Sequence, residues 1–282
     1  MSDPSVVSPR RILVALDASA YSLAALKAAV TLAAELEAEV VGLFVEDVNL
    51  LNMAGLPFTR EIQLTSARDS HLTPQRMALS LRLRAARAQA AFQTAVAKAA
   101  LQGSFSVIRG EVAQALLEAA VEADLLILGR VSQPLSRQRR LGSTAHTAAI
   151  HAPHSVMVMP CEQLLEGKRE HIAVVYDGSE LSAAALQTAA QLTAAVTTII
   201  IVTQSAEAAE RLQAQAQRLF EAQETAVNYH ISNTLTIDEL IQIIDISGCD
   251  FLVLGGQPEL LSADNTQQLL EQTDCTLMIV RP

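Results

Sequence analysis

Arg11-Ile-Leu-Val-Ala-Leu-Asp17-Ala-Ser19 and His171-Ile-Ala-Val-Val-Tyr-Asp177-Gly-Ser179 are two versions of one pattern. In each, an apolar run without alternation ends in an acid, and a serine follows two residues later. A run with no polar side is how a strand buried on both faces of a parallel sheet reads. Each run leads into an Ala/Leu-rich stretch of helical character, at 23–36 in the first copy and 181–195 in the second.

The pairing continues downstream in the same order. Asp124-Leu-Leu-Ile-Leu-Gly129 matches Asp250-Phe-Leu-Val-Leu-Gly255, and Ser155-Val-Met-Val-Met-Pro160 matches Leu277-Met-Ile-Val-Arg-Pro282. Three matched strands point to two copies of one fold. The expected domains are 1–162 and 170–282, joined by the polar stretch 161–170. Strands alternating with long helical segments imply an α/β fold. The expectation is two tandem doubly wound, Rossmann-like domains, each a five-stranded parallel sheet with helices on both faces. The first copy also carries an insert at 47–74, read as irregular, before an Ala/Arg-rich helix at 75–102.

Half of the 282 residues are hydrophobic, ample for two cores, and this excludes a disordered chain. No apolar run reaches the ~18 residues of a membrane span, and the N-terminus has no signal-peptide pattern, so the expected location is cytoplasmic. Cys161, Cys249 and Cys275 are scattered, which fits reduced thiols rather than a disulfide framework or a zinc site. A net charge of −10 argues against nucleic acid as a partner. That charge is uneven: 15 Lys and Arg face 14 Asp and Glu in residues 1–165, but 5 face 16 in residues 166–282. An anion would choose the first copy.

In an open doubly wound sheet a ligand sits beyond the carboxyl ends of the strands. The first copy places Asp17, Val45 and Gly129 at such ends. After Gly129 comes a loop with Arg130, Ser132, Arg137, Arg139 and Arg140, and then Gly142, Ser143 and Thr144 open a helix. A glycine lets a phosphate approach the backbone, a helix N-terminus offers unpaired N–H groups, and arginines add charge. Each feature also has a plain reading, as a strand end, an N-cap or a solvated loop. Their convergence on one end of one sheet is what suggests a site.

These residues resemble the universal stress protein family over nearly the whole chain, as two copies. The loop of its ATP-binding branch reads Gly-x2-Gly-x9-Gly-Ser/Thr. Here the register is Gly129-x2-Ser132-x9-Gly142-Ser143, with Ser132 in place of the middle glycine. The resemblance implies ATP, with or without Mg²⁺, in the first domain. Asp17 and Val45 would line adenine and ribose. Gly129, Ser132, Arg140, Gly142, Ser143 and Thr144 would lie along the ribose and phosphates. It also implies pairing of the two copies through their last strands, a homodimer, and a regulatory partner in a stress response. The second copy keeps Asp177 but lacks the Gly-Ser and the arginines, so it is expected to have lost the site.

No P-loop, dinucleotide fingerprint or nucleophile elbow occurs. His146, His151 and His154 are spaced poorly for a metal. No acid is placed to activate water, so the expectation is a binding protein and not an enzyme. The alternatives are a nucleotide-free interaction scaffold and, behind it, a slow ATPase.

Overall fold

The computed structural model describes residues 9–56, 60–62, 69–71, 73–130, 142–160, 169–192, 194–221, 223, 225–257 and 259–281. In chain order the first half comprises β1 (Arg11–Ala15), α1 (Ala20–Leu36), β2 (Glu39–Asp47), α2 (Val48–Ala54), a hairpin of β3 (Arg60–Ile62) and β4 (Asp69–His71), α3 (Pro74–Lys98), β5 (Gly103–Gly110), α4 (Val112–Ala120), β6 (Leu125–Gly129), α5 (Ser143–His151) and β7 (Ser155–Met159). The second half follows with β8 (Arg169–Tyr176), α6 (Glu180–Gln191), β9 (Ala194–Val202), α7 (Ala206–Phe220), β10 (Ala226–Ser232), α8 (Ile237–Ser247), β11 (Phe251–Gly255), α9 (Ala263–Gln272) and β12 (Thr276–Val280).

Ten strands form one sheet in the order β10-β9-β8-β11-β12-β7-β6-β1-β2-β5. Each half contributes five parallel strands in the same spatial order. The halves meet at one antiparallel seam, where Met278 lies opposite Met157, flanked by Leu277–Val158 and Ile279–Val156. The pairing of last strands is therefore made within one chain. Joining them removes two edges that would otherwise expose unpaired backbone.

The lack of alternation in the strands is explained by helices on both faces. Ile12 and Val14 point into one core with α1 and α3, while Leu13 points into the other with α4 and α5. Both cores run unbroken into the second half, one with α6 and α7 and the other with α8 and α9.

Three sequence expectations change, the first being α3, which ends at Lys98 and not at 102. The insert is not irregular throughout: α2 forms at its start because the Asp47 carboxylate accepts the Asn49 N–H at 2.8 Å and caps it. The helix expected to reach 195 ends at Gln191, and the β-branched run that follows is drawn into β9.

The repeated Asp-x-Ser has a local task in both halves. Asp17 Oδ1 accepts the Ser19 N–H at 2.9 Å, and Ser19 Oγ caps α1 through Ser22 N–H at 3.1 Å. Asp177 and Ser179 repeat this at 2.8 and 3.3 Å on α6. The turn needs a left-handed residue in the middle. Gly178 supplies it at φ 84°, but the first half uses Ala18 at φ 64°. Left-handed backbone costs a non-glycine on the order of 1 kcal/mol, and the extra freedom glycine brings to the unfolded chain offsets about half of that. Ala18→Gly is therefore expected to stabilise the protein by about 0.5 kcal/mol in urea unfolding. A loss of stability would mean that the Ala18 methyl, which packs on the core, outweighs the backbone strain.

Candidate functional site

The strand order turns back between β1 and β6, and there a cavity of about 580 Å³ opens at their carboxyl ends. Asp17, Val45, Gly129, Gly142, Ser143 and Thr144 all line it. The other two predicted residues, Ser132 and Arg140, lie outside the described residues, as do Arg137 and Arg139. Its volume is in the usual range for a small-molecule site.

The two ends of the site differ in chemistry. At the β1 end, Asp17 spends Oδ1 on the turn, while Oδ2 is buried and has no hydrogen-bond partner. A buried carboxylate oxygen without a donor is costly, so it invites one from a ligand. At the α5 end, Gly142 takes the N-cap position with extended backbone (φ −69°, ψ 139°) and offers no side-chain cap. The first N–H groups of α5 thus face the cavity without a capping oxygen, and no acid sits in that turn.

Arg130 holds the base of the loop between these ends. Its carbonyl accepts the Gly142 N–H at 2.9 Å and its own N–H reaches Met159 O at 2.8 Å. Its side chain, however, corrects the sequence reading. The guanidinium does not join the anion site. It is buried in the second half, donating to Leu270 O and Thr273 O, both at 2.8 Å. The C-terminal carbonyls of α9 attract a cation strongly in a dry environment.

Several lining residues were missed by sequence reasoning. Leu50 comes from α2, Leu81 and Arg84 from α3, and Val112 and Leu116 from α4. The helical spacing of Leu81, Val112 and Leu116 reads simply as core, Arg84 reads as part of a solvated face, and Leu50 falls in the insert read as irregular. Asp47 also lines the cavity while capping α2.

At the same place in the second half, the acid and the helix N-terminus meet the chain's own side chains. Asp177 accepts from Ser182 Oγ at 2.6 Å as well as from Ser179 N–H, and Gln257 Nε2 lies 3.5 Å from its second oxygen. Burial alone would raise the Asp177 carboxyl, but these hydrogen bonds outweigh it and hold it below the ordinary carboxylate value. The N-terminus of α9 is capped by Ser262 Oγ, which accepts the Asn265 N–H, and Asp264 adds negative charge to its first turn. Gln257 and Ser262 thus occupy the roles a ligand would take.

A larger cavity of about 790 Å³ lies between α1 and α6 at the seam, but it holds none of the predicted residues. Among the described residues, no unpartnered buried polar atom belongs to its walls. Cys249 and Cys275 are buried free thiols; burial pushes Cys275 up to about 11 and Cys249 higher still, so neither is a ready nucleophile. Cys161 lies outside the described residues. No group of three His, Cys, Asp or Glu among the described residues could hold a metal. No helix among them is long and apolar enough to cross a membrane.

Comparison with known proteins agrees with this architecture. No curated protein matches the sequence. A solved universal stress protein from Archaeoglobus fulgidus DSM 4304 superimposes with a TM-score of 0.71 at 13% identity, covering 98% of this chain and 97% of its own. A functionally unknown protein from Pseudomonas aeruginosa PAO1 follows at 0.58 and 14%, covering 99% and 95%. At such identities the likeness shows the fold alone. The model of the universal stress protein family matches residues 9–160, more than half of the chain and the part that carries the open cavity. The chain belongs to the universal stress protein family.

Proposed function

We propose that the first half binds an adenine nucleotide, ATP with or without Mg²⁺, and that the protein acts as a nucleotide-responsive regulator in a stress response. One observation carries this reading: a single cavity joins the unpartnered Asp17 Oδ2 to the uncapped N-terminus of α5. The first calls for a hydrogen-bond donor, which the base or the sugar supplies. The second calls for an anion, which the phosphates supply. Ligand binding would favour one conformation of the protein and so change what it binds. The proposed role is binding.

The test is native against denaturing mass spectrometry of the purified protein, followed by calorimetric titration with ATP and Mg²⁺. One nucleotide per chain is expected. Gly142→Asp is the discriminating variant. Gly142 has the extended backbone that any residue adopts, and Asp is a favoured N-cap, so the fold should survive and gain a few tenths of a kcal/mol. The same carboxylate fills the anion seat, and ATP affinity should fall by roughly 100-fold or more. Two nucleotides per chain would show a working site in the second half. No heat at millimolar ATP would leave the scaffold reading in place.

A further inference from the structure

The helix that opens onto the cavity is poorly equipped to hold itself in place. α5 has nine residues, Ser-Thr-Ala-His-Thr-Ala-Ala-Ile-His, and buries only the alanines 145, 148 and 149. So short a helix is marginal without outside support. α4 and β7 of its own half pack against it, and the other half of the chain adds polar anchors at both of its ends. Arg281, immediately after β12, reaches across the seam to the last turn of α5. Its Nη1 donates to Ala152 O at 2.9 Å, and its Nη2 to Ile150 O at 3.1 Å and to Ala149 O. Near the first turn, the His146 ring nitrogen Nε2 lies 3.1 Å from the Ala263 carbonyl of α9. The loop base is pinned too, because Arg130 carries the carbonyl that receives the Gly142 N–H and its side chain is locked between α9 carbonyls.

We infer that the second half is the positioning partner of the first half's phosphate seat, and that Arg281 is a positioning residue for a phosphate it never touches. The inference rests on the nucleotide reading above. A cation at the C-terminal end of α5 satisfies carbonyls that would otherwise loosen its last turn, and so sets where its N–H groups point at the other end. The nucleoside end of the site is built differently. Asp17 follows β1 and Val45 lies in β2, two and three strands away from the seam strand β7, and neither is linked to Arg281. Loosening α5 should weaken the hold on phosphate while leaving the hold on the nucleoside.

This separation gives the experiment. In the full chain, Arg281→Met, Arg281→Lys and the unmodified protein are titrated with ATP and with adenosine. Arg281→Met is expected to lower ATP affinity about tenfold and to leave adenosine affinity within about twofold. Arg281→Lys, which keeps a cation at the carbonyls, should recover ATP binding to within about threefold. Should Arg281→Met not fold, Arg281→Gln keeps a donor without the charge and should show the same selective loss. An equal loss for ATP and adenosine, or unchanged ATP affinity with adenosine bound normally, would overturn the positioning role and leave the nucleotide reading standing. An unmodified protein that binds neither compound would overturn the nucleotide reading, and the inference with it.

Discussion

Arg130→Met is expected to destabilise the protein by about 3 kcal/mol, lowering its melting midpoint by roughly 6–12 °C. The side chain is 6% exposed, and two of its hydrogen bonds, both at 2.8 Å, end on the carbonyls of Leu270 and Thr273. Methionine fills the space but donates nothing, so both carbonyls stay buried without those donors, at about 1–3 kcal/mol each. Two smaller effects are set against each other. The 3.8 Å approach to Asp274, which is largely exposed, adds little. Arg130 Nε is itself buried without a partner, so its removal returns something. Calorimetric and denaturant unfolding would both report the change. A loss below about 1 kcal/mol would mean that the buried guanidinium only breaks even with its own desolvation.

Gly255→Ala is expected to cost about 3 kcal/mol or more, and Gly129→Ala about 2 kcal/mol, in denaturant unfolding. A Cβ at Gly255 would stand 2.1 Å from Leu181 O and 2.8 Å from the Ala185 Cβ. At Gly129 the nearest atoms are the Cβ, C and O of Tyr21, at 2.7, 2.9 and 3.0 Å. Tyr21 and Leu181 sit four residues after Asp17 and Asp177, so the two contacts are equivalent. In each half the first helix of the repeat crosses the end of the fourth core strand with no room for a methyl group. Backbone atoms form part of both obstacles, so a rotamer change cannot relieve them, and the closer one should cost more. The reverse order would refute the packing explanation. The comparison also bears on the site: Gly255 makes the same close approach in a half whose acid and helix N-terminus meet the chain's own side chains, so helix packing alone accounts for a glycine at this position. Gly129 is therefore weak evidence for a ligand, whereas Gly142, uncapped and opening α5, is stronger.

The pattern of strands and helices was legible because it is written in neighbouring residues. Apolar runs such as Ile12–Val14 and Leu252–Leu254 have no polar side to turn to water, and the structure buries them on both faces. The Asp-x-Ser pairs encode a turn and a helix cap within six residues, and their repetition exposed the duplication. The pairing of the two copies through their last strands was implied by the family resemblance, and its antiparallel register came only from the structure. Six of the eight predicted site residues meet in one cavity because they follow strands that end on the same edge of the sheet.

What the sequence by itself determined was thus the repeat, the layered α/β fold and the end of the sheet where the cavity opens, all consequences of local periodicity and strand order. Only the tertiary structure decided how each polar group there is used. Asp17 and Asp177 are the same residue in the same motif. Yet Asp17 Oδ2 is left without a partner, while Gln257, 80 residues from Asp177, lies beside that acid's second oxygen. Arg130 looked like one more loop cation, yet its guanidinium crosses the seam to carbonyls 140 and 143 residues away. Such choices turn on which distant donor or acceptor comes within about 3 Å, a distance set by packing of the whole sheet and invisible in local sequence.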